Sequence, residues 1–283
     1  MRTNALIILA MFVISCGLIV ISVFHHTRMQ SGDKNGSYAL NLLSGTGYQV
    51  DKQNTLRFTI KDDNDTAYKD FDKSDPIPLM VTIIRNDRTN FQHLHPTYNQ
   101  SDGTFTISPV TFTADGNYRI FASFRSSDVQ KNNLGEEPVT TVYQDVQVGN
   151  ESQYASQNVS GEKLTSSQNG FDTFITTPTD KMNPESMAVI ANKPQAIVMK
   201  IAKNGESVTD LRDFKGSLGR LSAFGPSLEF VSTNSEPSDT DNQTGTIIFN
   251  TNFPSKGLYK IYIEVQLDKT VTTFEYVVNV QQK

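Results

Sequence analysis

The 283 residues carry 25 Lys and Arg against 30 Asp and Glu, a formal net charge of −5, and 37% of them are hydrophobic. A mildly acidic chain without a basic cluster excludes nucleic-acid binding through a positive face, because neutralising phosphates needs grouped Lys and Arg. Cys16 is the single cysteine, so no internal disulfide is available and any core must hold by packing.

In chain order, the first element is the apolar run 5–24, ALIILAMFVISCGLIVISVF, which no charge interrupts. Twenty helical residues span about 30 Å, the thickness of a bilayer core. The run predicts a single-pass anchor helix, with Arg2 on the inner side and the bulk of the chain extracytoplasmic at the cell membrane. A second reading stays open: Ser15-Cys16-Gly17 is similar to a bacterial lipobox, which would make Cys16 a lipidation site. The apolar stretch continuing past Cys16 to Phe24 favours the helix.

The chain divides by composition. Residues 1–36 form a cytoplasmic tip, the anchor and a polar spacer, and 37–149 form a first domain. Residues 150–169, rich in Ser, Asn and Gln, predict a flexible linker, and 170–283 form a second domain. Period-2 alternation dominates both blocks. Tyr118, Ile120, Ala122 and Phe124 share one face of a strand, as do Tyr259, Ile261, Ile263, Val265 and Leu267. Lys260, Glu264, Gln266 and Asp268 lie on the opposite face, so each strand reads as half-buried. Short strands between turn residues predict an all-β fold of two tandem sandwiches.

The blocks repeat one another. Gly116-Asn117-Tyr118-Arg119-Ile120-Phe121 matches Gly257-Leu258-Tyr259-Lys260-Ile261-Tyr262 at an offset of 141 (116 to 257). Thr140-Thr141-Val142 matches Thr272-Thr273-Phe274 at an offset of 132 (140 to 272), so a loop in the second block is nine residues shorter.

Asp115-Gly116-Asn117-Tyr118 resembles the tyrosine corner of immunoglobulin-like domains, and Lys256-Gly257-Leu258-Tyr259 is a weaker second copy. The resemblance implies structural roles for Gly116, Tyr118, Gly257 and Tyr259. Further upstream, Phe91-Gln92-His93-Leu94-His95-Pro96, then Asp102-Gly103-Thr104-Phe105, then the Gly116–Tyr118 element, is similar to exported bacterial YtkA-like and CopC-type β-sandwiches. Some of these are linked to copper handling. The second block has no histidine; its equivalent stretch is Leu228-Glu229-Phe230-Val231-Ser232-Thr233-Asn234.

His93 and His95 alternate, which places both imidazoles on one side of an extended segment. Imidazole suits copper and zinc. Asp87, Asp102 and Met80 are candidate third ligands. The alternative is that the two histidines form a strand end that hydrogen-bonds locally. No nucleophile elbow, zincin helix or phosphate loop is present, so an enzyme is not expected. The sequence thus leaves two functions. One is an anchored, non-enzymatic binding or structural module with no cofactor and an extracytoplasmic protein or polymer partner. The other is a copper or zinc handling accessory using His93 and His95.

Overall fold

The structure is a computed structural model and describes residues 28–30, 38–45, 47–72, 78–127, 139–150, 159–178, 187–212, 216–235 and 244–282. The expected anchor at 5–24 and Cys16 lie outside the described residues. Among the described residues no helix is long and apolar enough to cross a membrane, and the regular elements are strands.

The first domain contributes β1 (Arg28–Gln30), β2 (Tyr38–Leu42), β3 (Gln53–Asp62), β4 (Leu79–Arg85), β5 (Gln92–Leu94), β6 (Thr97–Asn99), β7 (Thr104–Thr111), β8 (Gly116–Arg125) and β9 (Val139–Val148). They form one sheet in the order β2-β3-β7-β6 and another in the order β1-β9-β8-β4-β5. The second domain contributes β10 (Thr165–Gln168), β11 (Phe171–Thr176), β12 (Val189–Ile190), β13 (Gln195–Lys203), β14 (Glu206–Ser207), β15 (Gly219–Phe224), β16 (Phe230–Asn234), β17 (Thr246–Thr251), β18 (Gly257–Leu267) and β19 (Thr270–Gln281). Its sheets run β10-β11-β13-β14, with β17 also on β13, and β12-β19-β18-β15-β16.

Alternation places one row of each strand in a core between the sheets. In the first domain Leu56, Phe58 and Ile60 of β3 meet Val81 and Ile83 of β4 and Tyr118 and Ile120 of β8. In the second, Ile197, Met199 and Ile201 meet Leu221, Ala223, Tyr259 and Ile261. These are two separate cores, one per repeat.

Strand register reproduces both sequence offsets. Tyr118 pairs with Val146 and Tyr259 with Val278; Phe124 pairs with Thr140 and Val265 with Thr272. The missing residues of the second repeat lie where Leu267 pairs with Thr270 across Asp268-Lys269, both at positive φ. Two left-handed residues match the twist of a tight hairpin.

Two expectations are corrected. The polar stretch 150–169 is not a linker throughout. Leu164 is buried in the second core, Lys163 bridges Val277, and β10 pairs with β11 across Asn169-Gly170. Both turn residues have positive φ, so this Asn-Gly is a hairpin turn and the second domain begins before residue 170. The strands of Tyr118 and Tyr259 are also not half-buried. On the face opposite the core, Phe121 is 1% exposed, Tyr262 3% and Glu264 8%. The other domain covers that face.

Candidate functional site

Both glycine-tyrosine elements form the same local structure. Gly116 and Gly257 have φ of 131° and 130°, a region that a side chain disfavours. A Cβ on Gly257 would also sit 2.5 Å from Pro226 Cγ. Each glycine starts a strand whose tyrosine is fully buried. The Tyr118 hydroxyl donates to the Ala114 carbonyl at 2.9 Å, and the Tyr259 hydroxyl bonds Ser255 Oγ at 2.9 Å. Each hydroxyl thus reaches four residues upstream. Burial pushes the Tyr118 phenol up to about 12, so it remains a donor at ordinary pH.

The two domains meet through the outer faces of the β1-β9-β8-β4-β5 and β12-β19-β18-β15-β16 sheets. Ile84, Phe91, Phe121 and Tyr143 of the first pack with Phe224, Leu228, Phe230 and Tyr262 of the second. Phe91 stacks on Tyr262 with ring centroids 4.4 Å apart, and Phe121 stacks on Phe230 at 4.6 Å.

A turn on each domain borders this layer. In the first, Arg85 N donates to the Thr89 carbonyl, and Arg88 sits at φ 66°. In the second, Gly225 N donates to the Glu229 carbonyl, and Leu228 sits at φ 61°. Left-handed non-glycine residues are uncommon and persist where the surroundings impose them. The first turn is braced by a buried ion pair: Arg85 Nε and Nη2 donate to the two Asp87 oxygens at 3.0 and 2.6 Å. Asp87 also accepts from Thr89. So held, Arg88 reaches across: its Nη1 donates to the Leu258 carbonyl, and its own carbonyl accepts from the Tyr262 hydroxyl at 2.7 Å. Burial pushes the Arg88 pKa down, while the Glu229 carboxylate across the seam opposes the shift.

His93 lies in the same seam. Its Nδ1 is 2.6 Å from Glu264 Oε2 and its Nε2 is 2.7 Å from Arg220 Nη1. The same guanidinium nitrogen lies 2.9 Å from Met80 Sδ. The His93 and Glu264 side chains are 4% and 10% exposed. A guanidinium can only donate, so His93 Nε2 must accept, and the ring proton sits on Nδ1 and is donated to Glu264. The result is an Arg220–His93–Glu264 relay in which a neutral imidazole joins the half-buried Arg220 cation to the buried Glu264 anion.

This geometry bears on the metal reading. His93 and His95 do share a side, with ring centroids 5.3 Å apart. Met80, a candidate third ligand, is beside His93, but Arg220 stands between its sulfur and His93 Nε2. Asp87 is committed to Arg85, and Asp102 accepts from Thr104 N in a turn. Among the described residues no group of three or more His, Cys, Asp or Glu could hold a metal ion. Metal coordination needs an imidazole lone pair, and in the closed seam the one on His93 Nε2 is already taken.

Sequence reasoning missed Arg220, Glu264 as a partner of His93, and the seam aromatics. The signal was present: Phe121 and Tyr262 interrupt the polar rows of β8 and β18, and large aromatics on an outward row need cover.

The profile of the family described as Domain of unknown function (DUF8832) matches residues 33–133 and again 180–282. The chain belongs to this family. Each DUF8832 match covers most of one core, the first stopping before β9 and the second starting after β11. No curated protein matches. Among solved structures, the chain is similar to a mutant of Salmonella alpha-2-macroglobulin, at 9% identity and a TM-score of 0.26 over 87% of this chain. It is also similar to a putative membrane anchored protein from Corynebacterium diphtheriae, at 10% identity and a TM-score of 0.23 over 85% of this chain. The chain spans 15% and 57% of the lengths of those two proteins.

Proposed function

We propose that this DUF8832 protein is an anchored, extracytoplasmic, non-enzymatic module. Its two immunoglobulin-like sandwiches act as one stiff body presented to a protein or polymer partner. The observation that carries the reading is where the polar chemistry goes. The relay of Arg220, His93 and Glu264 is sealed between the domains, where it joins them instead of meeting a substrate. The aromatic layer around it acts in the same way. The apolar run at 5–24 supplies the tether in this reading.

The test uses full-length protein with a C-terminal tag. It should remain in the membrane fraction after alkaline carbonate extraction, and protease added to intact cells should remove the tag. Release by carbonate, or a tag protected until lysis, would overturn the tethered, outward-facing reading. Stiffness is read separately by small-angle scattering of the region after residue 27. A single compact profile, unchanged with salt, is expected, and a profile demanding independently moving domains would refute it.

A further inference from the structure

The seam is built from the same positions of both repeats. Register makes the correspondence explicit. On β4 and β15, Met80, Thr82 and Ile84 pair with Ser123, Phe121 and Arg119, while Arg220, Ser222 and Phe224 pair with Glu264, Tyr262 and Lys260. On the next strands, Thr82 pairs with His93 and Ser222 with Ser232. Phe91 therefore corresponds to Phe230, Phe121 to Tyr262, His93 to Ser232, Ser123 to Glu264 and Met80 to Arg220.

The contacts exchange under this correspondence. Phe91 stacks on Tyr262, and its counterpart Phe230 stacks on Phe121, the counterpart of Tyr262. Met80 touches its own counterpart Arg220, so these two residues mark the centre about which the pattern exchanges. Arg88 and Leu228, the left-handed residues of the two turns, are counterparts as well. A surface that meets its own equivalent this way has the form of an isologous dimer interface.

The polar residues break that equivalence. Arg220, Glu264 and His93 stand where the other repeat has Met80, Ser123 and Ser232. If a second domain met another second domain in this way, Arg220 would face Arg220 at the centre, with no imidazole to accept. Both Glu264 side chains would lie opposite Ser232. The two guanidiniums would meet as like charges, and each Glu264 would keep only the Arg220 opposite it on its own sheet and the Ser232 hydroxyl, with the bridging imidazole lost. If a first domain met another, His93 would face Ser123 in place of a carboxylate.

We propose that this face is a like-to-like pairing surface made selective for the unlike domain. The relay of Arg220, His93 and Glu264 admits a first domain to a second domain, whether of the same chain or of a second copy. It rejects a second domain paired with its own kind, an arrangement of attraction and repulsion typical of specific pairing. The inference does not depend on the anchored reading, because it concerns only which domain the seam accepts.

The experiment uses the folded chain with residues 151–158 replaced by a site-specific protease sequence, cut after folding. Native mass spectrometry then follows partner exchange with an isotope-labelled copy. Wild-type pieces should re-pair only as first with second. In Arg220→Met/Glu264→Ser, which gives the second domain the residues of the first, homodimers of second-domain pieces should rise at least ten-fold. In His93→Ser, which removes the acceptor and leaves both cores untouched, the unlike pair should exchange at least ten-fold faster, with no gain of like pairs. Wild-type homodimers as abundant as unlike pairs would overturn the proposal. So would a double variant that folds yet still pairs only unlike pieces, or an unchanged exchange rate in His93→Ser.

Discussion

Phe121→Ala tests the seam without entering either sandwich core. Phe121 is 1% exposed, stacks on Phe230 and lies near Phe224 and Tyr143, yet it belongs to neither domain's own cluster. Its ring removes about 150–200 Å² from water, worth roughly 4–5 kcal/mol as an upper bound. Buried Phe→Ala changes cost about 3–5 kcal/mol, which agrees. The loss should fall on the coupling between domains. For a chain of this size that is a shift of roughly 6–20 °C in the thermal midpoint of the coupled transition. With no tryptophan in the sequence, calorimetry and tyrosine near-ultraviolet dichroism are the suitable probes. Wild type should unfold in one calorimetric transition, and Phe121→Ala should resolve it into two. Leu43→Ala, at a residue 47% exposed, is the control and should change stability by less than about 0.5 kcal/mol. A midpoint lowered by less than about 2 °C, with one peak retained, would refute the view that this layer joins the domains.

Asp87→Ala should cost about 3–5 kcal/mol, because it leaves the Arg85 guanidinium buried without its anion; chemical unfolding that finds less than about 1 kcal/mol would show that the pair is not needed. Tyr118→Phe and Tyr259→Phe should each cost about 0.5–1.5 kcal/mol, the net worth of a hydrogen bond, and unchanged urea midpoints in both would contradict the geometry at Ala114 and Ser255. Burial raises the pKa of Tyr118, Tyr259, Tyr262 and Tyr276 above the ordinary 10.0, so the folded state holds these protons more tightly than the unfolded chain. Their contribution is therefore complete below pH 10 and is lost as pH rises, Tyr118 accounting for the window from 10 to about 12; a melting midpoint that stays flat across that window would contradict the burial. Titration of Cu²⁺ or Zn²⁺ into the closed chain should give no binding at His93, whereas Arg220→Ala, which removes the blocking donor, should bind more tightly; equal affinity in both would mean Arg220 does not occupy the coordination position.

Much of the architecture was legible in the sequence because strands write their inner faces as alternation. Tyr118, Ile120, Ala122 and Phe124, and the row from Tyr259 to Leu267, point into cores as their spacing requires. In β8 and β9 the repeat was legible to the residue, since their pairing preserves the 141 and 132 offsets between 116 and 257 and between 140 and 272. The segment before Gly170 was misread because a Ser- and Asn-rich edge strand has linker composition, and only pairing with β11 distinguishes the two. The seam left only a trace, in Phe121 and Tyr262 on otherwise polar rows. Alternation tells which residues share a face, but a second face is buried or wet according to what covers it, and that cover here is the other domain. His93 was visible as chemistry, but its partners Glu264 and Arg220 lie 171 and 127 residues away. Only the docking of two sheets brings a donor to one side of the ring and a carboxylate to the other, turning a possible ligand into a link between domains.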